Sequence, residues 1–256
     1  MRHGSGLLAL VARHIATAAG KGGIRPYPAI DAKTVIYAVG DVHGRADLLM
    51  RVHEAMEKDW RARPAERRLE VYLGDYVDRG PDSASVIAML RARSRTSRIM
   101  PLLGNHEEVL LRFLDGRLSD REWLDWGGAA TALSYGINPS REAILNAALS
   151  RAIPLDDIRF LRALRPSFRY GPYFFAHAGV LPNRALEDQG RDDLLWIRRP
   201  FLDHKGNFGA VVVHGHTPNA EPEFKSNRIN LDTGAYATHR LSCLRIDATG
   251  AALIGG

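Results

Sequence analysis

Cysteine is almost absent from this sequence, which contains a single one, Cys243, among its 256 residues. One cysteine cannot form an internal disulfide, and it cannot build a thiolate zinc cluster or an iron–sulfur cluster. Cys243 lies in the mostly apolar run 241–244, so we expect a buried, reduced core residue. Such cysteine usage is typical of a cytoplasmic enzyme, and cytoplasmic is the predicted location.

Long apolar runs are also missing. The run at residues 7–12 is followed at once by Arg13 and His14, whereas a membrane span needs about 20 apolar residues and a secretory signal needs a longer uncharged core. Neither is predicted. The first 30 residues contain no acidic side chain. Residues 1–33 are interpreted as a short basic amphipathic helix and a linker, which either docks on the domain or attaches weakly to an acidic membrane surface.

Acidic residues are fewer than basic ones, 29 against 35, which leaves a net charge of +6. A positive balance raises the question of nucleic acid as a partner. The arginines are spread along the chain, however, and the two clusters at 61–68 and 91–98 fit the solvent-exposed ends of helices. We therefore expect no nucleic-acid partner.

Apolar runs that end in Asp, Asn or His are, in contrast, plentiful. The runs and the motifs that follow them are 35–39 before GDVHG (40–44), 69–73 before GDYVDRG (74–80), 99–103 before GNHE (104–107), 174–176 before His177, and 211–213 before HGHT (214–217). Asp75 comes 34 residues after Asp41, and Asn105 comes 30 residues after Asp75, spacings expected of successive βαβ units. Because ligand sites lie at the carboxyl ends of such strands, these loops should lie side by side.

The side chains in these loops form a set of oxygen and nitrogen ligands without a thiolate, a set that suits Mn, Fe or Zn. The candidate metal ligands are Asp41, His43, Asp75, Asn105, His177 and His216. Six ligands exceed what one tetrahedral ion uses, and a carboxylate can bridge two ions about 3.5–4 Å apart. Asp75, in the middle of the series, is the predicted bridge. Two divalent ions are therefore predicted, with Mn²⁺ as the first expectation and Fe or Zn as alternatives.

The same loops carry the groups needed for phosphate-ester hydrolysis. A hydroxide that bridges the two ions is the predicted nucleophile, so no serine or cysteine nucleophile is required. Arg79 can hold two phosphate oxygens in a fork. His106 is placed to protonate the leaving alkoxide, and Asp78 could orient and charge that imidazole.

The motifs, taken together and in this order, resemble the signature of the phosphoprotein phosphatase family, within the calcineurin-like metallophosphoesterase superfamily. They are GDVHG, GDYVDRG, GNHE, the His177 loop and GHT (215–217). These motifs span residues 40–217, which is most of the chain. The resemblance implies a mixed α/β fold of the α+β type with four layers, in which a central β-sandwich is flanked by helices. It also places a dimetal centre at the carboxyl ends of the strands.

The resemblance further implies a role for each matched residue. The implied ligands are Asp41, His43 and Asp75 for the first ion, and Asp75, Asn105, His177 and His216 for the second. His106 with Asp78 would be the acid pair, and Arg79 would be a phosphate clamp. A second arginine clamp follows a tryptophan in bacterial members, and here Arg198 matches it better than Arg199.

Two further stretches are similar to segments of short bacterial relatives. They are WLDWGGAATALSYG (123–136) and INLDTGAY (229–236), and the second would bring Asp232 and Tyr236 near the site. His214 is not needed as a ligand, and it is interpreted as a strand-end or supporting histidine.

The rest of the chain is predicted to support one metallophosphoesterase domain over residues 34–256. A helical insertion is expected at about 112–170, where no site signal occurs. After His177, the short β-like runs 209–213, 228–231 and 241–246 lack long helices between them, which predicts a second sheet with antiparallel pairing. A monomer is expected.

Three functions stay open at this point. The first is a protein serine/threonine phosphatase that releases inorganic phosphate from a phosphorylated protein or peptide. The second is a nucleotide hydrolase similar to the symmetrical dinucleoside tetraphosphatases, which usually lack an acid at the position of Asp78. The third is an inactive basic binding module, which the complete set of ligand and acid–base residues disfavours.

Overall fold

The apolar runs form the strands of two five-stranded sheets in the computed structural model, which describes residues 27–255. The first sheet has the strand order β10-β9-β1-β2-β3. Its strands are β1 (Thr34–Val39), β2 (Arg67–Tyr72), β3 (Ile99–Pro101), β9 (Cys243–Asp247) and β10 (Gly250–Ile254). Strands β1, β2 and β3 run parallel, and β9 pairs antiparallel with both β1 and β10.

The second sheet has the strand order β4-β5-β6-β8-β7. Its strands are β4 (Ser167–Tyr170), β5 (Tyr173–Ala176), β6 (Val211–His214), β7 (Glu223–Phe224) and β8 (Arg228–Asn230). The three central strands run parallel, and antiparallel pairs occur only at the two edges, β4 with β5 and β7 with β8.

Two details of the predicted second sheet were therefore wrong. Its interior is parallel rather than antiparallel, and the run 241–246 became β9 of the first sheet. The reason is that an apolar run predicts a buried strand but not its partner. The β9–β10 hairpin pairs with the side of β1 that β2 leaves free.

Ten α-helices cover the sheets in the described residues. They are α1 (Ala46–Ala62), α2 (Ser83–Thr96), α3 (Asn105–Leu114), α4 (Asp120–Asp125), α5 (Gly128–Ser134), α6 (Leu145–Ala152), α7 (Leu155–Arg162), α8 (Arg191–Trp196), α9 (Arg199–Leu202) and α10 (Ala235–Thr238). Helix α1 follows from its apolar spacing, since Leu48, Leu49, Val52 and Met56 form its buried face. Helices α4 to α7 lie between β3 and β4, in the stretch predicted to be a helical insertion.

Successive side chains of each strand point to opposite faces of the sheet, which divides the core into layers. On β1, Val35, Tyr37 and Val39 pack on the helical side, whereas Ile36 and Ala38 face the second sheet. All five side chains are fully buried. Burying a large apolar side chain contributes about 1.5–3 kcal/mol, so strands buried on both faces hold the sheets together firmly.

A third apolar cluster covers the outer face of the second sheet. It combines Phe174 and Val212 of the strands with Leu194 of α8 and Phe201 of α9. The order is therefore helices, sheet, sheet and short helices, which confirms the predicted four-layer α/β fold with a central β-sandwich.

No helix within residues 27–255 is long and apolar enough to cross a membrane. The basic helix predicted near the N-terminus falls within residues 1–26, which lie outside the described part of the chain.

Candidate metal centre and active site

The six candidate ligands all follow carboxyl ends of parallel strands, and all six are buried. The loop after β1 carries Asp41 and His43, and the loop after β2 carries Asp75. Asn105 is the first residue of α3, directly beyond β3. His177 and His216 follow β5 and β6 of the other sheet. The edges of both sheets thus meet at one place, and the structure brings all six residues together there.

Asp75 lies between two groups of ligand atoms. Its Oδ2 is 3.4 Å from Nε2 of His43 and 4.0 Å from Nε2 of His106. Its Oδ1 is 3.3 Å from Nε2 of His177. The groups His43, Asp75 and His106, and Asp75, His177 and His216, each offer three ligand atoms within 4.8 Å of one another. One carboxylate therefore faces both groups, as a bridging ligand requires.

Asn105 belongs to the second group. Its Oδ1 is 2.8 Å from Nε2 of His177 and 2.9 Å from Nδ1 of His216. The amide oxygen and the two imidazoles therefore converge on one point beside Asp75.

Backbone carbonyls orient two of the imidazoles. Nδ1 of His43 lies 2.8 Å from the carbonyl of Val77, and Nδ1 of His177 lies 2.9 Å from the carbonyl of Leu73. A carbonyl only accepts, so each Nδ1–H donates and Nε2 keeps its lone pair on the side of Asp75. This is how proteins commonly set a histidine to bind a metal ion.

Several buried polar atoms of the site have no hydrogen-bond partner among residues 27–255. They are Oδ1 of Asp41, Nε2 of His106 and Nε2 of His216. The other oxygen of Asp41, Oδ2, accepts a hydrogen bond of 2.9 Å from the backbone N–H of His216. An unpaired buried carboxylate oxygen such as Oδ1 of Asp41 is costly unless a ligand satisfies it, so the oxygen and nitrogen atoms that meet here fit divalent cations.

Burial shifts the pKa values of several histidines and carboxylates of the site toward their uncharged forms. Burial lowers the pKa of His43 and of His216 to about 3, which leaves both imidazoles neutral and able to bind a metal. Burial, with the Asp232 and Asp75 carboxylates close by, raises the pKa of Asp41 well above its ordinary value. Burial likewise raises the pKa of Asp232 to about 6. Cations in the site would stabilise the ionised form of these carboxylates.

His106 and Asp78 form a buried pair beside the ligands. Nδ1 of His106 lies 2.8 Å from Oδ2 of Asp78. Burial alone would lower the pKa of His106, but the Asp75 and Asp78 carboxylates outweigh burial, and this pKa is raised. The ring of Trp126 meets the His106 ring edge-on, with centroids 5.6 Å apart. The pair therefore has the geometry of an imidazole acid held by a carboxylate.

Arg79 and Arg198, the two predicted clamps, are exposed at the rim of the site. The Arg79 guanidinium lies 5.0 Å from the centre of the Tyr236 ring, and that ring packs against His43. Arg198 is close enough to His216 to add to the effect of burial in lowering the pKa of that imidazole. Arg199 instead lies 3.7 Å from Asp203.

Five non-glycine residues of the site loops have left-handed backbone conformations. They are His43 (φ 44°), Asp75 (φ 52°), Asp78 (φ 69°), Arg79 (φ 68°) and His216 (φ 65°). Each such residue costs on the order of 1–3 kcal/mol and persists only where the surroundings hold it. These loops must therefore be held in place by specific contacts.

Glu107 provides the most extensive of these contacts, and sequence reasoning assigned it no role. Its Oε1 accepts hydrogen bonds from the N–H groups of Tyr76 and Val77, at 2.7 and 3.1 Å. Its Oε2 accepts from the N–H groups of Asp75 and Gly104, at 2.9 and 3.0 Å. The signal that could have found it is a glutamate three residues after Gly104 at the start of an apolar helix, which predicts a capping box.

His214 lies at the end of β6, where it is fully buried. Its ring packs edge-on against Phe201, with centroids 4.8 Å apart, and its Nδ1 lies 3.0 Å from the carbonyl of Gly215. These contacts agree with its interpretation as a strand-end histidine.

Comparison with known proteins places this fold and site in one class. Residues 34–248 match the family described as calcineurin-like phosphoesterase, and the chain belongs to this family. The family expected from the motifs is thereby confirmed, and the protein is a hydrolase of the phosphoesterase class.

The relatives it resembles divide between two substrate classes. The chain is 30% identical to serine/threonine-protein phosphatase 1 of Salmonella typhimurium over 233 residues, which cover 86% of this chain and 96% of that one. It is 27% identical to the asymmetrical bis(5'-nucleosyl)-tetraphosphatase PrpE of Anoxybacillus flavithermus, and this match covers 81% of this chain and 88% of that one.

The fold is also similar to a crystal structure of a candidate diadenosine tetraphosphatase. The TM-score is 0.63 at 21% identity, and the match covers 89% of this chain and 96% of that one. This likeness concerns the fold.

Proposed function

We propose that the protein is a metal-dependent phosphomonoester hydrolase that acts on phosphoserine and phosphothreonine in proteins. The observation that carries phosphate-ester hydrolysis is the buried His106–Asp78 pair beside Asp75, with Nε2 of His106 unpaired among the described residues, and the choice of a protein substrate rests on the Salmonella relative. A proton donor next to a metal centre is what hydrolysis of an alkyl phosphate requires, because the leaving alkoxide must be protonated.

Two metal ions are proposed to bind in this site. Asp41, His43 and Asp75 would hold one ion, and Asp75 with the amide and imidazole ligands of the second group would hold the other. Bound divalent ions would supply Lewis-acid activation of the phosphate ester and of water. The ligand set accepts Mn, Fe and Zn alike, and Mn²⁺ is the ion proposed for the assay.

The remaining groups of the chain bind the phosphate and move one proton. Arg79 and Arg198 would hold phosphate oxygens at the rim, where a guanidinium can donate two parallel hydrogen bonds. Asp78 holds His106 through Nδ1, so Nε2 would carry the proton that the leaving oxygen takes. The low exposure of the pair keeps water from competing for this proton.

The protein-phosphatase assignment is supported by the 30% identity to the Salmonella phosphatase over nearly its whole length. A second candidate, hydrolysis of dinucleoside polyphosphates, is supported by the PrpE relatives and by aromatic rings at the rim. Trp126 is 38% exposed and Tyr236 is 37% exposed, so both could stack on a base. The expectation drawn from Asp78 in the sequence concerned symmetrical tetraphosphatases, whereas the PrpE relatives are asymmetrical. The acid at Asp78 therefore does not decide between a protein and a dinucleotide substrate.

The experiment that tests the proposal measures product release by metal-stripped protein resupplied with Mn²⁺. A phosphoserine or phosphothreonine peptide and diadenosine tetraphosphate are compared at equal concentration. We expect fast phosphate release from the peptide and little nucleotide cleavage. Preference for the nucleotide would assign the second candidate function, and activity on neither substrate would leave only the binding module.

A further inference from the structure

Residues 123–131, which open the segment WLDWGGAATALSYG, contact three of the four residues proposed for acid catalysis and phosphate binding: His106, Asp78 and Arg79. Trp126 packs on His106, as described above. The carbonyl of Gly127 accepts a hydrogen bond of 3.3 Å from the backbone N–H of Arg79. Thr131 is hydrogen-bonded to Asp78. No role for this segment follows from the ligand or clamp assignments.

Two glycines let the segment approach this closely. Gly127 has φ +92°, and a Cβ there would lie 3.2 Å from Cγ of Arg79. A Cβ on Gly128 would lie 2.2 Å from the ring of Trp123. Trp123 is fully buried and stacks on Phe113 of α3, with centroids 4.4 Å apart. The segment is therefore anchored to the same helix that begins with Asn105 and His106.

The hydrogen bonds of Thr131 have only one consistent direction. Its Oγ1 lies 2.6 Å from Oδ1 of Asp78, 2.9 Å from the backbone N of Asp78 and 3.0 Å from Oγ of Ser83. A hydroxyl has one proton and two lone pairs. The carboxylate can only accept, so Thr131 donates to Oδ1 of Asp78 and accepts from the backbone N–H and from the Ser83 hydroxyl. All three residues are fully buried, so water does not replace these bonds.

The two oxygens of Asp78 thus have separate partners. Oδ1 accepts from Thr131, and Oδ2 faces Nδ1 of His106 at 2.8 Å. Asp78 also has a left-handed backbone conformation, with φ 69°, which the hydrogen bonds to its own N–H help to hold. The plane of the carboxylate, and with it the orientation of the imidazole, depends on the Thr131 hydroxyl.

We propose that Thr131 is a positioning residue of the reaction: its hydroxyl fixes the Asp78 carboxylate so that His106 can protonate the leaving oxygen. The inference rests on the proposed function, because it takes His106 as the proton donor. The helical segment between β3 and β4 then contributes to the chemistry as well as to the shape of the site.

The test compares substrates that differ in their need for an acid. A phosphoserine peptide releases a poor alkoxide leaving group, whereas p-nitrophenyl phosphate releases a stable phenolate that needs little protonation. In Thr131→Val, which keeps the shape and removes the hydroxyl, we expect kcat on the peptide to fall by about 10–100-fold, because a misplaced catalytic group loses rate of this order. The kcat on p-nitrophenyl phosphate should fall by less than about threefold, and KM for both substrates should stay near the wild-type value.

Thr131→Ser is the matched control, since it keeps the hydroxyl, and it should restore most of the rate on the peptide. Metal content and the melting temperature are measured for every variant. If Thr131→Val does not fold, Ser83→Ala is used instead. It leaves the Thr131–Asp78 bond in place but removes one of its supports, and it should give a smaller loss with the same selectivity for the peptide.

Equal losses on both substrates would show that Thr131 only supports the structure, and unchanged rates on both would show that Asp78 does not need it. Either result would overturn the inference. Wild-type protein that hydrolyses neither phosphate ester would instead overturn the proposed function, and the role of Thr131 with it, before any variant is made.

Discussion

His106 is the side chain on which the proposed acid step depends. Nδ1 is held by Asp78, Nε2 is unpaired among the described residues, and the ring lies between His43 and Trp126. Its neighbour along the chain, Asn105, lies among the candidate ligands. At the scale of single residues, acid catalysis and metal binding are therefore separable by substitution even though the two positions are adjacent.

His106→Asn should lower kcat by about 10²–10⁴-fold, because the variant lacks the acid that a general-acid step requires. Metal content should stay at the wild-type level, since none of the six proposed ligands is changed. Steady-state kinetics on a phosphopeptide and metal analysis of the same sample check both statements. His239→Asn is the control, since His239 is exposed and has φ 60°, which asparagine adopts readily. Near-normal turnover of the His106 variant would remove its proposed role.

Arg198→Ala should weaken inhibition by inorganic phosphate and raise KM, while Arg199→Ala should change neither. The reason is that the Arg198 charge reaches His216, whereas the exposed Arg199 guanidinium lies beside Asp203. The loss of one charged hydrogen-bond partner should raise the inhibition constant for phosphate by roughly 10-fold or more. A larger effect from Arg199 than from Arg198 would show that the clamp was assigned to the wrong neighbour.

Helix α3 supplies several parts of the site at the scale of one element. It begins directly after β3 with Asn105 and His106, and Glu107 in its first turn binds the loop that carries Asp75. A second acid, Glu108, accepts from Nε1 of Trp196 at 2.8 Å and so ties α3 to the helix before Arg198. One helix start thus positions a proposed metal ligand, the proposed acid and the loop that carries Asp75.

Glu107→Gln should destabilise the protein by about 1–3 kcal/mol. The amide nitrogen of glutamine would replace one carboxylate oxygen, and it cannot accept the hydrogen bonds that the backbone N–H groups now donate to that oxygen. The Asp75 loop should loosen as well, so metal affinity should fall together with stability. Urea unfolding and metal titration measure the two effects. Glu142→Gln, at an exposed position, serves as the control. Wild-type stability and metal affinity in the Glu107 variant would contradict this account of how the loop is held.

The β-sandwich brings the proposed ligands together at the scale of the whole molecule. Asp41, Asp75 and Asn105 come from the first sheet, and His177 and His216 come from the second. Neither sheet holds a complete site, so the packing between the sheets also sets the distances between the ligands. Conditions that loosen this packing should therefore affect metal binding early.

Acid should destabilise the fold through histidines whose pKa burial lowers, and half-buried His53 is the one that can be tested away from the proposed ligands. Burial above all lowers its pKa to about 4. In the unfolded chain a histidine takes up a proton near pH 6.5. The unfolded state therefore binds more protons between these values, and stability is lost as the pH falls from about 6.5 towards 4, by at most about 1.4 kcal/mol per pH unit for this group.

His53→Gln should remove this part of the pH dependence. Nε2 of His53 lies 2.9 Å from the hydroxyl of Tyr72, which itself donates to Glu70, so the histidine donates and a glutamine amide can do the same. The unfolding free energies of wild type and variant, measured by urea between about pH 7 and pH 5, should converge or cross as the pH falls. A constant difference would show that His53 does not titrate in this range.

The sequence alone determined the family from the combination and order of its motifs, and the resemblance implied the four-layer fold. It also identified the candidate residues at the strand ends, because those signals are local. An apolar run predicts a strand, and the Asp, Asn or His after it lies at the strand end wherever the strand is placed. The roles of these residues in metal binding and catalysis stay predictions.

Only the tertiary structure decided which distant side chains hold those residues in place. Thr131 reaches Asp78 across 53 positions, Trp196 reaches Glu108 across 88, and β9 joins the first sheet rather than the second. Contacts of this kind depend on how packed elements meet, and neither residue spacing nor hydrophobic period encodes them. Local chemistry in the sequence thus specified the candidate residues, and long-range packing specified their supports.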